Sequence, residues 1–200
     1  MNMFSLALSL LLGCPATLET EQASRDSTAT EKIPEPPPIL GVNERADCDQ
    51  AAIGSSVCDL VLLDHNNEYW RLYDLEGKVI ILDFSTVWCG PCKAAATHVQ
   101  RIQDDYGEDL VFASLIIQGI EGLPGTQQDT LDWKANYGIT TAPVLQASHD
   151  YVVDPAGITG YLVGGYPTYV YIDQNLKIHT GHVGFSEEYM RITLDGLLAN

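Results

Sequence analysis

The residues of this chain best suited to covalent chemistry are two cysteines three positions apart, in the stretch Trp88-Cys-Gly-Pro-Cys92. At this spacing the two thiols can close a small disulfide ring. Cys89 follows the apolar run 79–84 and precedes a segment with helical periodicity, so it lies where a predicted strand turns into a helix. Free N–H groups and the dipole at a helix start stabilise an anion, so we expect the pKa of Cys89 to fall below its ordinary value of about 8.5. This arrangement favours thiol–disulfide exchange.

The same spacing has two other interpretations. A C-x-x-C pair is often half of a zinc site, which then needs further ligands. Cys14, Cys48 and Cys58 form no second pair of this spacing. His179 and His182 are three positions apart in a predicted strand, so their side chains should point to opposite faces. We therefore predict no metal here; a zinc site and an inert structural disulfide are the alternatives.

Two strands and the helix between them should position the cysteines. The helix is predicted over 93–106, with Gly107 as its stop, and the next buried strand over 110–118. A strand–helix–strand unit of this length predicts parallel strands with a right-handed crossover. The rest of the predicted α/β domain consists of a hairpin (60–63 and 69–72), a helix (126–137), a strand (142–147), a short helix or turn (154–161), an antiparallel strand pair (169–173 and 176–183) and a final helix starting at Ser186.

The segment from Asp83 to Lys93 resembles the active-site segment of the thioredoxin superfamily, whose most specific signature is Trp-Cys-Gly-Pro-Cys. The preceding residues 73–83 and the long downstream half are similar to the TlpA/ResA-like branch. The resemblance covers roughly 55–198. It implies a thioredoxin fold, with a central mixed β-sheet flanked by helices and an N-terminal hairpin extension. It also implies a membrane-anchored or periplasmic thiol–disulfide oxidoreductase that acts on protein substrates, with Cys89 and Cys92 as its catalytic, redox-active disulfide.

The resemblance assigns roles to four more residues. Pro167 precedes a strand and is expected to be cis, which would turn the backbone of Tyr166 towards Cys89 for pairing with an extended substrate; a trans proline that starts a strand is the alternative. Trp88 is expected to shape the substrate-docking surface. Asp83 lies in an otherwise apolar strand, so its pKa should be raised and it could take the proton of the second cysteine. A solvated carboxylate, or one paired with Lys93, is the alternative for Asp83.

The N-terminus resembles a secretory signal that ends in a bacterial lipobox. Its apolar run is too short to span a bilayer as a helix, and Leu11-Leu-Gly-Cys14 matches the lipobox, in which Cys14 is lipidated. No Lys or Arg precedes the run, so plain secretion and a buried hydrophobic N-terminus stay open. We predict a signal over 1–14, a disordered Pro/Glu-rich linker over 15–47 and a thioredoxin-like domain over 48–200. The expected location is the bacterial periplasm, on a lipid anchor.

Cys48 and Cys58 are expected to form a structural disulfide. If Cys14 carries lipid and Cys89 pairs with Cys92, these are the two cysteines that remain, in a compartment where disulfides persist. The alternative is a second redox pair that relays electrons to the first.

The formal net charge of −17 argues against nucleic acid as a partner. We expect a monomer that needs no dissociable cofactor and receives electrons from a partner dithiol protein. Gly-Pro between the cysteines favours a reductant, and a reductant outside the cytoplasm needs a membrane electron donor.

Three rival functions use the same fold. A thiol peroxidase would carry Pro-x-x-x-Thr-x-x-Cys, but Leu82 stands where that proline belongs. A copper-delivery module would have Cys-x-x-x-Cys, and a non-catalytic binding module would not depend on Cys89.

Overall fold

The strands of this protein form one mixed β-sheet. The computed structural model describes residues 40–43, 48–49, 52–152 and 160–199. Among these residues the strands are β1 (Gly41–Asn43), β2 (Asp59–Asp64), β3 (Tyr69–Arg71), β4 (Val79–Thr86), β5 (Leu110–Gln118), β6 (Val144–Gln146), β7 (Thr168–Ile172) and β8 (Ile178–Val183). Their order across the sheet is β1-β2-β6-β5-β4-β7-β8, and β3 pairs with β2. β4, β5 and β6 are parallel to one another, and the other pairs are antiparallel.

Helices cover both faces of this sheet. They are α1 (Gly90–Tyr106), α2 (Gln127–Tyr137), α3 (His149–Val152) and α4 (Glu187–Leu198). Successive residues of β4 point to opposite faces, so Val79 and Ile81 pack with α1, α2 and α4, while Ile80 and Leu82 pack with the hairpin side and α3. No helix in the described ranges is long and apolar enough to cross a membrane.

The predicted strand–helix–strand unit is confirmed. β4 and β5 are parallel neighbours, and α1 connects them. α1 begins three residues before the predicted start because Cys89 is its N-cap, which includes the cysteine pair in the first turn. Gly107, with φ of 58°, ends α1.

The other helix boundaries follow from local capping chemistry. Thr126 and Asp129 form a capping box at the start of α2, and Gly138 in the left-handed conformation ends it. The Ser186 side chain accepts the N–H of Tyr189 at the start of α4. The predicted hairpin is present as β2 and β3.

Three expectations need correction or lie outside the described residues. β1 falls inside the predicted linker 15–47 and pairs with β2, so the folded part begins before residue 48. The short helix or turn predicted over 154–161 lies largely in 153–159, outside the described residues; a helix is observed just before it, as α3. Cys14 and the signal and linker residues up to 39 are likewise outside.

Candidate active site

Cys89 and Cys92 are joined by a disulfide in the first turn of α1. The backbone N–H of Cys92 donates to Sγ of Cys89 at 3.1 Å, because Cys89 occupies the cap position, where the first helical N–H groups lack carbonyl partners. Pro91 stands in the same turn, where its missing N–H breaks no helical bond. Cys89 is 5% exposed and Cys92 1%. Cys89, the more exposed of the two, is thus the cysteine whose sulfur accepts an N–H, and this hydrogen bond stabilises a thiolate at Cys89.

The peptide bond between Tyr166 and Pro167 is cis, and it lies beside Cys89. β7 begins at Thr168, which aligns with Phe84 near the end of β4, so the residues before β7 lie next to those that follow β4. The carbonyl oxygen of Tyr166 is 3.6 Å from Sγ of Cys89. The expected cis bond is confirmed, and the structure brings this peptide to the cysteine pair.

Aromatic rings extend the site away from the sulfurs. Trp88 is 53% exposed, and its ring meets that of Tyr166 edge-on at 5.9 Å between centroids. The Tyr166 hydroxyl is 2.8 Å from Nε2 of His149, the first residue of α3. Burial raises the pKa of Tyr166. The exposed indole is available to a docking partner, while the tyrosine is fixed from both sides.

Asp83 is buried, and its pKa is raised. The side chain is 1% exposed and accepts hydrogen bonds from the hydroxyls of Ser85 at 2.8 Å and Ser114 at 3.1 Å. Loss of water raises the pKa of the carboxyl from 3.8 to about 7, and the two hydroxyls oppose that shift only in part. Asp83 is therefore a buried acid that can gain or lose a proton near neutral pH.

Asp83 also faces the cysteine side of the sheet. Along β4 it lies two residues from Ile81 and four from Val79, so it shares their face of the sheet, and both belong to the same buried cluster as Cys92. Ser114 aligns with Asp83 on β5, which places its hydroxyl on that face too. The expected burial and raised pKa of Asp83 are confirmed, and the alternatives of a solvated carboxylate and of a pairing with Lys93 are wrong, since the hydrogen-bond partners are serines.

Sequence reasoning missed Ser85, Ser114 and His149. Ser114 lies 31 residues from Asp83 and meets it only through the parallel register of β4 and β5. The sequence did contain a sign of this contact: Ser114 is a single serine in an apolar strand, just as Asp83 is a single aspartate in one. His149 gave no signal, because it is a single histidine in an irregular stretch.

The second disulfide joins Cys48 and Cys58, as expected. It links Cys48, in the connection between β1 and β2, to Cys58, the residue just before β2, and it leaves Cys89 and Cys92 to pair with each other. In the described part of the chain, no group of three or more His, Cys, Asp or Glu side chains could hold a metal ion. His179 is exposed on β8, whereas His182 stacks on Tyr171 at 5.6 Å.

Comparison with known proteins gives a consistent result. The Thioredoxin family matches residues 61–127. The match covers a third of this chain, and the chain has the thioredoxin-superfamily fold. Within that superfamily it is similar to the thiol–disulfide oxidoreductase ResA of Halalkalibacterium halodurans, with 28% identity over 74% of this chain and 80% of the relative. It is also similar to the thioredoxin-like protein YneN of Bacillus subtilis, with 26% identity over 66% and 71%.

A solved structure agrees with the thioredoxin fold. The exposed lipoprotein thioredoxin of Streptococcus pneumoniae aligns with a TM-score of 0.57 and 28% identity, over 70% of this chain and all of that one. The expected fold and ResA-like resemblance are confirmed. This chain has the fold and the cysteine pair of a protein-disulfide oxidoreductase, and its chemistry is thiol–disulfide exchange.

Proposed function

We propose that this chain reduces disulfide bonds in proteins outside the cytoplasm, using Cys89 and Cys92. The observation that carries the proposal is the position of the Cys89 sulfur. It receives the N–H of Cys92 and lies 3.6 Å from the Tyr166 carbonyl oxygen. A stabilised thiolate next to a backbone carbonyl is suited to attack a disulfide in an extended chain.

The reaction takes place in two exchanges. The Cys89 thiolate attacks one sulfur of the substrate disulfide, forming a mixed disulfide and releasing the other substrate sulfur as a thiolate. The buried Asp83 carboxylate then takes the proton of Cys92. The Cys92 thiolate attacks Sγ of Cys89, which releases the second substrate thiolate. Two electrons have passed from the cysteine pair to the substrate, and the pair is left as the disulfide observed here.

The residues around the sulfurs hold the substrate. The Tyr166 carbonyl accepts a backbone N–H of the substrate chain, next to Pro167. Trp88 presents its exposed indole to the same chain, since its ring already contacts Tyr166 edge-on. Neither group takes part in the electron transfer, and no dissociable cofactor is invoked.

Location outside the cytoplasm is proposed from three observations. The first 14 residues resemble a lipoprotein signal ending at Cys14, the Cys48–Cys58 disulfide suits an oxidising compartment, and a similar protein of known structure is named as an exposed lipoprotein. A lipid at Cys14 would tether the domain through residues 15–39. Metabolic labelling with a fatty acid tests this proposal: label on the chain, and none on the Cys14→Ser variant, would support it.

The direction of electron flow is tested by the reduction potential of the Cys89–Cys92 pair. The chain with Cys14, Cys48 and Cys58 replaced by serine isolates this pair for equilibration with glutathione or dithiothreitol. A potential near or below about −250 mV supports a reductant, which then needs a membrane electron donor. A potential above about −150 mV would make the protein an oxidant or isomerase. If no reversible couple appears, the catalytic proposal fails, and a binding module becomes the better interpretation.

A further inference from the structure

A groove of about 570 Å³ opens directly beside the cysteine pair. Trp88 and Lys93, which flank the pair in sequence, form one wall. The turn after β5 and the exposed side of α2 form the other, with Trp133 among the lining residues. Trp88 lines this groove and also contacts the ring of Tyr166, so the groove is continuous with the proposed substrate-pairing backbone.

The groove combines exposed apolar surface with negative charge. Trp88 is 53% exposed and Ile120 is 73% exposed. Its charged lining consists of three carboxylates, Glu121, Asp129 and Asp132, against the single ammonium of Lys93.

Two of the carboxylates remain available to a ligand. Asp129 is held in the capping box at the start of α2, where the helix dipole offsets its charge. Glu121 and Asp132 are exposed, and Asp132 has only the neutral amide of Gln128 as a hydrogen-bond donor in the described structure. A ligand would therefore meet an apolar surface bordered by two exposed carboxylates that form no ion pair in the described residues.

We propose that this groove binds the segment of a protein substrate next to its reactive cysteine and selects segments that carry lysine or arginine. The long aliphatic stems of these residues pack on apolar surface while their charged heads reach outward. Here the stem would lie against Trp88 and Ile120, and the head would reach Glu121 or Asp132. A cation over the indole face adds a further attraction. The inference rests on the proposed reductase function and names its substrate class.

The test compares three synthetic peptides, each with one intramolecular disulfide. They differ only in two residues beside one cysteine, which are both lysine, both glutamine or both glutamate. The chain with Cys14, Cys48 and Cys58 replaced by serine is reduced and mixed with each peptide, the reaction is quenched with acid, and the second-order rate constant is measured by chromatography. At low salt we expect the lysine peptide to react roughly tenfold faster than the glutamate peptide, because each exposed charge pair contributes only modestly. At about 1 M salt the rates should converge.

A pair of matched variants locates the effect. Glu121→Gln/Asp132→Asn should reduce the ratio of the lysine and glutamate rates to about twofold. The remaining preference would come from the net negative charge of the whole chain. Glu108→Gln/Asp109→Asn makes the same change in net charge at the far end of α1, about 25 Å from the cysteine pair along the helix axis. This variant should keep the full ratio of the lysine and glutamate rates.

The inference is overturned if the three peptides react equally, or if the two double variants lose the preference to the same extent. Neither result would affect the reductase proposal, because the peptides would still be reduced. If no peptide is reduced at all, the reductase proposal fails together with this inference.

Discussion

Replacing Asp83 by asparagine should change stability in a way that depends strongly on pH. Burial raises the pKa of this carboxyl from 3.8 to about 7 in the folded protein, while the unfolded chain keeps the lower value. Below pH 3.8 the group is neutral in both states and contributes no penalty. Between pH 3.8 and 7 the unfolded state ionises first, so the free energy of unfolding falls by about 1.4 kcal/mol per pH unit. Above pH 7 the penalty is constant, at about 4 kcal/mol.

Asparagine removes that penalty because it does not ionise. Its amide keeps an acceptor for one serine and presents a donor to the other, which costs about 1 kcal/mol through an imperfect hydrogen bond. Asp83→Asn should therefore be slightly less stable than the natural chain at pH 4 and about 3 kcal/mol more stable at pH 8. The difference between the two proteins should grow through the range from pH 4 to 7 and then level off.

Urea unfolding of the oxidised proteins at a series of pH values measures this difference. The exposed Asp109→Asn variant is the control, and its effect should stay within about 0.5 kcal/mol. A difference between Asp83→Asn and the natural chain that does not vary with pH would refute the assignment of a raised pKa. In the same variant, release of the mixed disulfide by Cys92 should slow by about 100-fold while the first attack by Cys89 keeps its rate, as stopped-flow measurements can separate.

Three further predictions concern the surroundings of the site. Replacing Cys48 and Cys58 by serine opens a loop of ten residues and should lower the free energy of unfolding by about 2.5–3 kcal/mol, seen in urea melts, with the site potential unchanged. His149→Leu removes the partner of a tyrosine hydroxyl and should raise KM for protein substrates several-fold with little change in kcat; an equal fall in kcat would contradict a positioning role. Ser114→Ala removes a hydrogen bond that stabilises the ionised Asp83, so the pKa of Asp83 should rise further. In urea unfolding across pH, the free energy of unfolding should then stop falling only at a pH above 7.

Local features of this protein could be predicted from its sequence because they depend on near neighbours. The helix stop at Gly107 needs a backbone conformation that glycine adopts freely, and the cap at Ser186 needs a hydroxyl that accepts the N–H three residues later. The position of Cys89 at a helix start likewise follows from an apolar strand, a short turn and Pro91. The cis bond at Pro167 was expected only through the family resemblance, since the residues around it do not specify the isomer.

Other features were decided by the tertiary structure. β6 is three residues long, and its place between β2 and β5 depends on strand pairing that no local pattern encodes. Ser114 reaches Asp83 through the register of two strands, and His149 reaches Tyr166 across a connection of 17 residues.

The groove has the same kind of origin. α2 buries only Thr130 and Trp133, so its sequence shows no wide apolar stripe. Its exposed side lines the groove only because tertiary packing places it near Trp88. The sequence by itself determined the chemistry of the cysteine pair and the local ends of the elements, because turns and caps depend on a few adjacent residues. The environment of that pair depended on the tertiary structure, because burial and long-range contacts exist only once the whole chain has packed.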